Sequence, residues 1–124
     1  MSLLLDTHVV LWWLTDDPAL SSDIVDRIDH DMDVYPSAAT LWEVAIKQAT
    51  GKLAGPSDLP ERIRDSGLLA LPISHEHAIV AGRLPPLHRD PFDRMLVAQT
   101  RCEGLTFVTR DPYCQKYDVA ILAV

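Results

Sequence analysis

The strongest constraint on the fold of this chain is a series of short, mainly apolar runs separated by segments with helical spacing. Such runs are typical of strands buried on both faces, as in a parallel sheet covered by helices on both sides. They lie at residues 1–5, 34–35, 68–73, 105–108 and 119–124. The sequence therefore predicts an α/β protein built on one parallel sheet.

Helices are predicted in the intervening segments, and two of them carry clear start and stop signals. Helical spacing covers residues 7–14, 21–29, 37–50, 59–66, 74–82 and 90–103. The last helix has Asp90 as a suitable N-cap, Pro91 at the first helical position and Gly104 as a C-terminal stop. Ser37 and Gly51 frame the third helix in the same way.

Length and composition limit the class of protein. The chain has 124 residues, of which 48% are apolar and 23% charged, and this predicts a single globular domain over residues 1–124. Its net charge of −7 excludes a simple basic nucleic-acid-binding module, but not an enzyme that acts on nucleic acid through metal ions. The whole acidic excess lies in residues 1–33, which hold eight acids and one base.

The apolar runs and the cysteines also bear on location. The longest apolar run, residues 9–14, is far shorter than the roughly twenty residues that a membrane-spanning helix needs. Cys102 and Cys114 form no CxxC pair and cannot build a disulfide framework. With no leader peptide, a cytoplasmic protein that does not enter the membrane is expected.

Four acidic residues occupy positions from which their carboxylates can converge. Asp6 directly follows the first predicted strand, and Asp111 follows the fourth after two residues. Because ligands of open parallel sheets bind beyond the carboxyl ends of the strands, these two carboxylates would meet at one edge. Glu43 and Asp93, on helices, can lean over that edge. Such an oxygen-rich set suits Mg²⁺ or Mn²⁺, whose charge would offset the repulsion between the acids.

Each of these acids also has an ordinary interpretation. Asp6 and Asp111 can be turn or cap residues. Asp93 can be a first-turn acid that complements the helix dipole. Glu43 can form an i, i+4 surface pair with Lys47. The set of four, rather than any one member, favours a metal site.

A set of four motifs runs in order along the chain. They are LLLDTH at residues 3–8, residues 37–47 with Trp42-Glu43, HRDPFDR at residues 88–94, and TFVTRD at residues 106–111. The set resembles PIN-domain proteins, and among them the VapC-type toxins of type II toxin–antitoxin systems. The resemblance covers essentially the whole chain, and the DPFDR and TRD stretches are its most specific parts.

The resemblance implies a fold, an activity and a site. The fold would be an α/β/α sandwich with a parallel sheet of about five strands, and the activity that of a Mg²⁺- or Mn²⁺-dependent ribonuclease. The catalytic and metal-binding residues would be Asp6, Glu43, Asp93 and Asp111. Supporting residues would be Thr7, Thr109 and Asp90, with Asp90 as the helix cap and Asp93 at the metal. Metal-assisted hydrolysis requires no covalent nucleophile, and His8 and His88 are expected to be structural or solvated.

Basic residues near the acids are candidates for contacts with RNA. They are Lys47, Arg89, Arg94 and Arg110. Arginine and lysine side chains commonly bind phosphate oxygens, but each of these can instead form a salt bridge to a neighbouring acid. For Lys47 the two interpretations carry equal weight.

Three tryptophans are candidates for a partner interface. Trp12 and Trp13 point about 100° apart on a helix, so both cannot lie at the centre of one buried stripe. Trp42 adds a third large aromatic beside Glu43, and exposed aromatics are enriched at interfaces. The resemblance implies a cognate antitoxin, which covers the helices and blocks the crevice, and a homodimer. The acidic residues between Asp16 and Asp33 would then be a solvated helix face or a surface for a basic antitoxin.

Three other classes of protein share parts of this pattern. A phosphatase or phosphotransferase of the haloacid-dehalogenase type would have a second Asp two residues after Asp6, where this chain has His8. A receiver-like module would have an acidic pair after its first strand and an Asp on a middle strand, but the run at residues 68–73 is followed by Ser74. A catalytically inactive PIN-like scaffold is the third alternative, although all four acidic positions are filled.

Overall fold

A computed structural model describes residues 1–31 and 33–124. Strands β1 to β4 are Leu3–Leu5, Val34–Tyr35, Thr106–Thr109 and Ile121–Ala123. Helices α1 to α6 are Thr7–Leu14, Ser22–His30, Ala38–Ala49, Leu59–Arg64, His75–Arg83 and Pro91–Glu103, and a 3₁₀ helix covers Cys114–Lys116. The order of elements agrees with the predicted alternation of strands and helices.

The strands form one parallel sheet with the order β2-β1-β3-β4. The central strand β1 pairs with β3 so that Leu5 lies opposite Val108. Both strands therefore end at the same edge, where β1 is followed by Asp6 and β3 ends with Thr109. This edge is the position that the sequence predicts for the converging carboxylates.

Apolar side chains cover both faces of the sheet. Leu4 and Phe107 pack on one face against residues of α5 and α6, such as Ala81 and Val97. Leu3 and Leu5 pack on the other face against residues of α1, α2 and α4. Because successive strand residues point to opposite faces, a strand covered on both sides must be apolar throughout. The α/β/α layers predicted from the apolar runs are thus confirmed.

Local signals place helix ends well. The Asp90 carboxylate accepts hydrogen bonds from the backbone N–H groups of Phe92 and Asp93, and so caps α6. The same helix ends at Gly104, whose φ of 64° lies in the left-handed region that glycine adopts without strain. Ser37 caps α3 through the N–H of Ala39.

The predicted strand at residues 68–73 is wrong in extent. This segment forms no continuous strand. It contacts β2 and the residues that follow β2 through an isolated bridge between Ser37 and Leu71 and a hydrogen bond from Leu69 N–H to the Val34 carbonyl. Pro72 has no N–H group to extend the pairing, and Ala70 is exposed rather than packed between layers. The sheet of the described residues therefore has four strands, with this segment along the outer edge of β2.

Among the residues that the structure describes, no helix is long and apolar enough to cross a membrane.

Candidate active site

Asp6 and Asp111 are joined through one hydroxyl at the carboxyl edge of the sheet. The N–H of Asp6 donates to the Val108 carbonyl at 2.9 Å, which fixes the first residue after β1 against β3. The Thr109 hydroxyl donates to Asp6 Oδ2 at 2.6 Å and accepts from the N–H of Asp111 at 3.0 Å. Thr109 therefore links the Asp6 carboxylate to the backbone of Asp111, as a supporting residue would.

Glu43 reaches the same region from α3 and is almost completely buried. The Thr7 hydroxyl, one residue after Asp6, donates to Glu43 Oε1 at 2.8 Å and lies 3.0 Å from the Thr40 hydroxyl. Lys47 forms a salt bridge with Glu43 Oε2 one turn along the helix, and this hydrogen bond raises the pKa of Lys47. A buried carboxylate needs such partners to offset its desolvation. Of the two interpretations of Lys47, the structure contains the salt bridge.

His88 bridges Asp93 and Asp111. Its Nε2 lies 2.9 Å from Asp93 Oδ2 and 3.0 Å from Asp111 Oδ2. Its Nδ1 accepts the N–H of Asp90 at 3.3 Å, which requires the ring proton to be on Nε2, facing the two carboxylates. The imidazole thus holds an acid from α6 next to an acid that follows β3.

The acids perturb one another. Burial and the nearby charges of Asp6 and Asp90 raise the pKa of Asp93 to about 7. Burial also raises the pKa of Asp6. Burial acts in the same direction on Asp111, but hydrogen bonds from Tyr113 N–H and His88 outweigh it and leave the pKa of Asp111 below its ordinary value. A carboxyl group that is hard to ionise beside other carboxylates indicates a place where a cation would be stabilising.

A compact set of potential metal ligands lies within this region. Ligand atoms of His88, Asp93, Asp111 and Cys114 all lie within 4.8 Å of one another. Cys114 is buried, and its burial and the surrounding carboxylates raise the pKa of the thiol, which disfavours the thiolate that binds metals. The donors suited to a metal are therefore mainly carboxylate oxygens, and such a set fits a hard cation such as Mg²⁺ or Mn²⁺.

Two of the arginines predicted to face RNA have internal partners. The Arg94 guanidinium donates to main-chain carbonyls and one hydroxyl between α5 and the 3₁₀ helix, namely those of Ala81, Leu84, Pro85, His88 and Tyr117. Arg110 donates to the carbonyls of Ala19 and Val124. These donors are engaged within the protein, but Arg110 is exposed and lines a cleft with Asp6 and Asp111, so phosphate contacts of the two residues stay a prediction. Arg89 is exposed at the mouth of the site.

The three tryptophans have different surroundings. Trp12 lies below the Arg110 guanidinium, 4.5 Å from its central carbon to the ring centroid, and is half-buried. Trp13 is also half-buried and donates its indole N–H to Asp29 at 2.8 Å. Trp42 is 60% exposed and packs edge-on against Phe92, with ring centroids 5.1 Å apart. Trp42 thus remains the most accessible candidate for a partner contact.

Sequence reasoning leaves the contacts of three residues near the site unspecified. His88, which is expected to be structural or solvated, bridges two of the four acids. Cys114 and Tyr113 lie just after Asp111, in a turn whose shape local sequence does not specify. The sequence signal for a role of His88 in the site is its position two residues before Asp90, the cap of α6.

The chain is similar to proteins of known family along most of its length. The profile of the PIN domain matches residues 3–120. Ribonuclease VapC22 of Mycobacterium tuberculosis is 30% identical over 118 residues, which cover 89% of this chain and 87% of that protein.

Solved structures share the fold at lower sequence identity. A chain in the crystal structure of VapBC2 from Rickettsia felis, bound to a DNA fragment from their promoter, has a TM-score of 0.76 at 14% identity, with 99% of this chain and 98% of that chain covered. A chain of DNA-bound VapBC from Salmonella typhimurium has a TM-score of 0.74 at 17% identity and the same coverage. For FitAcB from Neisseria gonorrhoeae the TM-score is 0.68 at 22% identity, with 97% and 96% covered.

Proposed function

Because this chain belongs to the PIN-domain family, we propose that it is a Mg²⁺- or Mn²⁺-dependent endoribonuclease and the toxin of a toxin–antitoxin pair. The observation that carries the proposal is the acidic group at the carboxyl edge of the sheet, where ligand atoms of Asp93 and Asp111 lie close together and the charges of Asp6 and Glu43 act on Asp93. Asp6, Glu43, Asp93 and Asp111 would be the catalytic and metal-binding residues. The similarity to a VapC ribonuclease favours RNA as the substrate.

The roles of the individual residues follow from their contacts. Asp6 and Asp111 are held by Thr109, and Glu43 by Thr7, so that their carboxylates stay in place without a cation. His88 keeps Asp93 and Asp111 adjacent. When bound, a divalent cation would neutralise charge on the phosphate and promote ionisation of the attacking water. The acids would orient that water and exclude a second anion from the site.

Removal of divalent cations should abolish RNA hydrolysis. Purified protein is incubated with total RNA in a chelator, and then with excess Mg²⁺ or Mn²⁺. We expect no cleavage in the chelator and full recovery with either cation, because the carboxylates alone cannot stabilise the charge that develops on the phosphate. Cleavage that persists in the chelator would contradict the metal mechanism. Metal binding without any RNA hydrolysis would instead identify an inactive PIN-like scaffold.

We also propose a protein partner for the exposed surface around Trp42. The VapBC and FitAcB structures support an antitoxin as that partner, and an antitoxin would have to cover helices close to the acidic crevice. Trp42 lies beside Glu43 on α3 and lines an apolar groove of about 290 Å³ with Ile73, Phe92 and Met95. Trp12 and Trp13 would extend the interface on α1. An RNA substrate and a small protein partner together favour a cytoplasmic location.

Co-expression with the small protein encoded next to this chain tests the partner proposal. We expect the two to co-purify, RNA hydrolysis to be suppressed in the complex, and Trp42→Ala to weaken the complex at least tenfold, because a buried tryptophan is a typical interface anchor. Ile79→Ala, which changes an exposed residue on α5, serves as the control. Light scattering on the protein alone checks the proposed homodimer. A monomer that binds no small protein would exclude both assemblies.

A further inference from the structure

Tyr113 is an exposed aromatic ring fixed to the candidate site. Its side chain is 52% exposed, although it lies only two residues after Asp111. Its backbone N–H donates to Asp111 Oδ1 at 2.7 Å, so that the turn that places the carboxylate also places the ring. An exposed aromatic whose backbone is hydrogen-bonded to one of the acids is not explained by packing of the core.

The Tyr113 ring lines two clefts, one of which also contains two of the acids. One cleft, of about 420 Å³, is lined by Asp6, Trp12 and Asp111 together with Tyr113. The other, of about 480 Å³, is lined by His88, Arg89 and again Tyr113. Both lie in the size range of small-molecule sites, and each is large enough for part of a nucleotide. A strand of nucleic acid whose phosphate lies at the acids would therefore place its neighbouring nucleotides on the two sides of this ring.

A lysine, a histidine and an arginine lie near the Tyr113 ring or line a cleft with it. Lys116 Nζ lies 4.9 Å from the Tyr113 ring centroid, and the His88 ring centroid lies 5.3 Å from it. Arg89 is exposed in the cleft beside His88. A π-face with positive charges on a flexible lysine and an exposed arginine is the combination by which proteins bind single-stranded nucleic acid. Because the chain as a whole is acidic, with a net charge of −7, the two basic residues beside this ring are not part of a generally basic surface.

We propose that Tyr113 is a stacking platform for an unpaired base of single-stranded RNA, next to the phosphate at the acids, with Arg89 and Lys116 binding the flanking phosphates. The inference rests on the proposed ribonuclease function and adds to it a residue that positions the base beside the phosphate at the acids. A base can lie on the ring only if it is released from its neighbours and from a complementary strand, which is how most sequence-tolerant RNA binding proceeds.

Equilibrium binding to a labelled single-stranded RNA of about 12 nucleotides tests the platform. All variants carry Asp6→Asn so that the RNA is not cleaved during the measurement. We expect Tyr113→Ala to weaken binding about tenfold and Tyr113→Phe to bind within about twofold of the parent, because phenylalanine keeps the stacking face. Ile79→Ala should have no effect, and a duplex of the same sequence should bind weakly to all four proteins. Thermal melting checks that each variant is folded.

The salt dependence of binding tests the two cations. Each phosphate contact that is lost should reduce the slope of log K against log salt by about 0.7 for a single strand. We therefore expect Arg89→Gln and Lys116→Gln each to lower the slope by about this amount, whereas Tyr113→Ala lowers the affinity at all salt concentrations without changing the slope.

Failure of the platform and failure of the proposed function are distinguishable. If the wild-type protein cleaves RNA but Tyr113→Ala binds as well as its parent, the platform is wrong and the ribonuclease stands. If the wild-type protein neither cleaves nor binds RNA, both are wrong. If Tyr113→Ala loses a co-purifying protein but not RNA affinity, the ring is a protein contact and the platform is again wrong.

Discussion

Replacement of Asp6 by asparagine is expected to reduce metal-dependent RNA hydrolysis by about 10³-fold or more while the protein stays folded. The substitution keeps the shape of the side chain, and its carbonyl oxygen can still accept the hydrogen bond from Thr109. The substitution removes the negative charge of the residue that directly follows β1, the strand that pairs with β3. Loss of a charged oxygen ligand weakens an interaction that contributes several kcal/mol to stabilisation of the transition state. The measurement is the initial rate of cleavage at saturating Mn²⁺.

The same variant should be more stable than the wild-type protein in the absence of metal. Burial raises the pKa of Asp6, so the folded state favours its neutral form, and its ionisation near neutral pH destabilises the fold. Removing that charge is expected to increase the free energy of unfolding by about 1 kcal/mol, as active-site substitutions often do. Added Mn²⁺ should raise the Tm of the wild-type protein but hardly that of Asp6→Asn.

Asp26→Asn is the matched control, since Asp26 is exposed on α2 and lies outside the site. It should leave hydrolysis, metal-free stability and the Mn²⁺-dependent rise in Tm unchanged. An active Asp6→Asn protein would contradict the site assignment. An inactive variant that still gains stability from Mn²⁺ as the wild type does would show that Asp6 does not bind the metal.

Replacement of Arg94 by lysine is expected to lower the free energy of unfolding by about 2–4 kcal/mol. The guanidinium of Arg94 donates to several carbonyls at once, including those of Ala81, Leu84 and His88. A lysine ammonium is a compact donor that cannot reproduce this fork, and hydrogen bonds to charged groups contribute about 1.5–3 kcal/mol each. Urea unfolding in metal-free buffer measures the loss.

The conservative substitution separates the structural role of Arg94 from phosphate binding. Lysine keeps the positive charge. If Arg94 only contacted phosphate, the Arg94→Lys protein would lose little stability and keep most of its RNA affinity. Because Arg94 holds the carbonyl of His88, we expect the variant also to need more Mn²⁺ for half-maximal activity. Arg101→Lys, an exposed position on the same helix, should behave like the wild type. Unchanged stability of Arg94→Lys would restore the original phosphate interpretation.

Features that depend on local chemistry were predictable from the sequence. The start of α6 follows from an aspartate cap with proline at the next position, and its end from Gly104. The layers of the fold follow from strands such as β1, in which every residue is apolar. The edge at which the acids meet follows from the general geometry of parallel sheets, which places Asp6 and Asp111 together once β1 and β3 are neighbours.

Features that depend on distant partners were not predictable. The run at residues 68–73 has the composition of a strand, but its pairing is limited by Pro72 and by its place outside β2. The sequence does not reveal the internal partners of Arg94 and Arg110, because the carbonyls that they bind belong to other segments of the chain. His88 reaches both Asp93 and Asp111 because of the conformation of the segment before α6. Patterns of single residues do not predict that conformation.

The pairing of β1 with β3 has a consequence for synthesis of the protein. The Thr109 hydroxyl that holds Asp6 belongs to a residue 103 positions later in the chain. The central pair of the sheet, and with it the candidate site, therefore cannot form until the residues up to Thr109 have left the ribosome. Such long-range pairing also slows folding, because loop closure must precede the contacts that reward it. We therefore expect a nascent chain that has not extended past Thr109 to lack the candidate site.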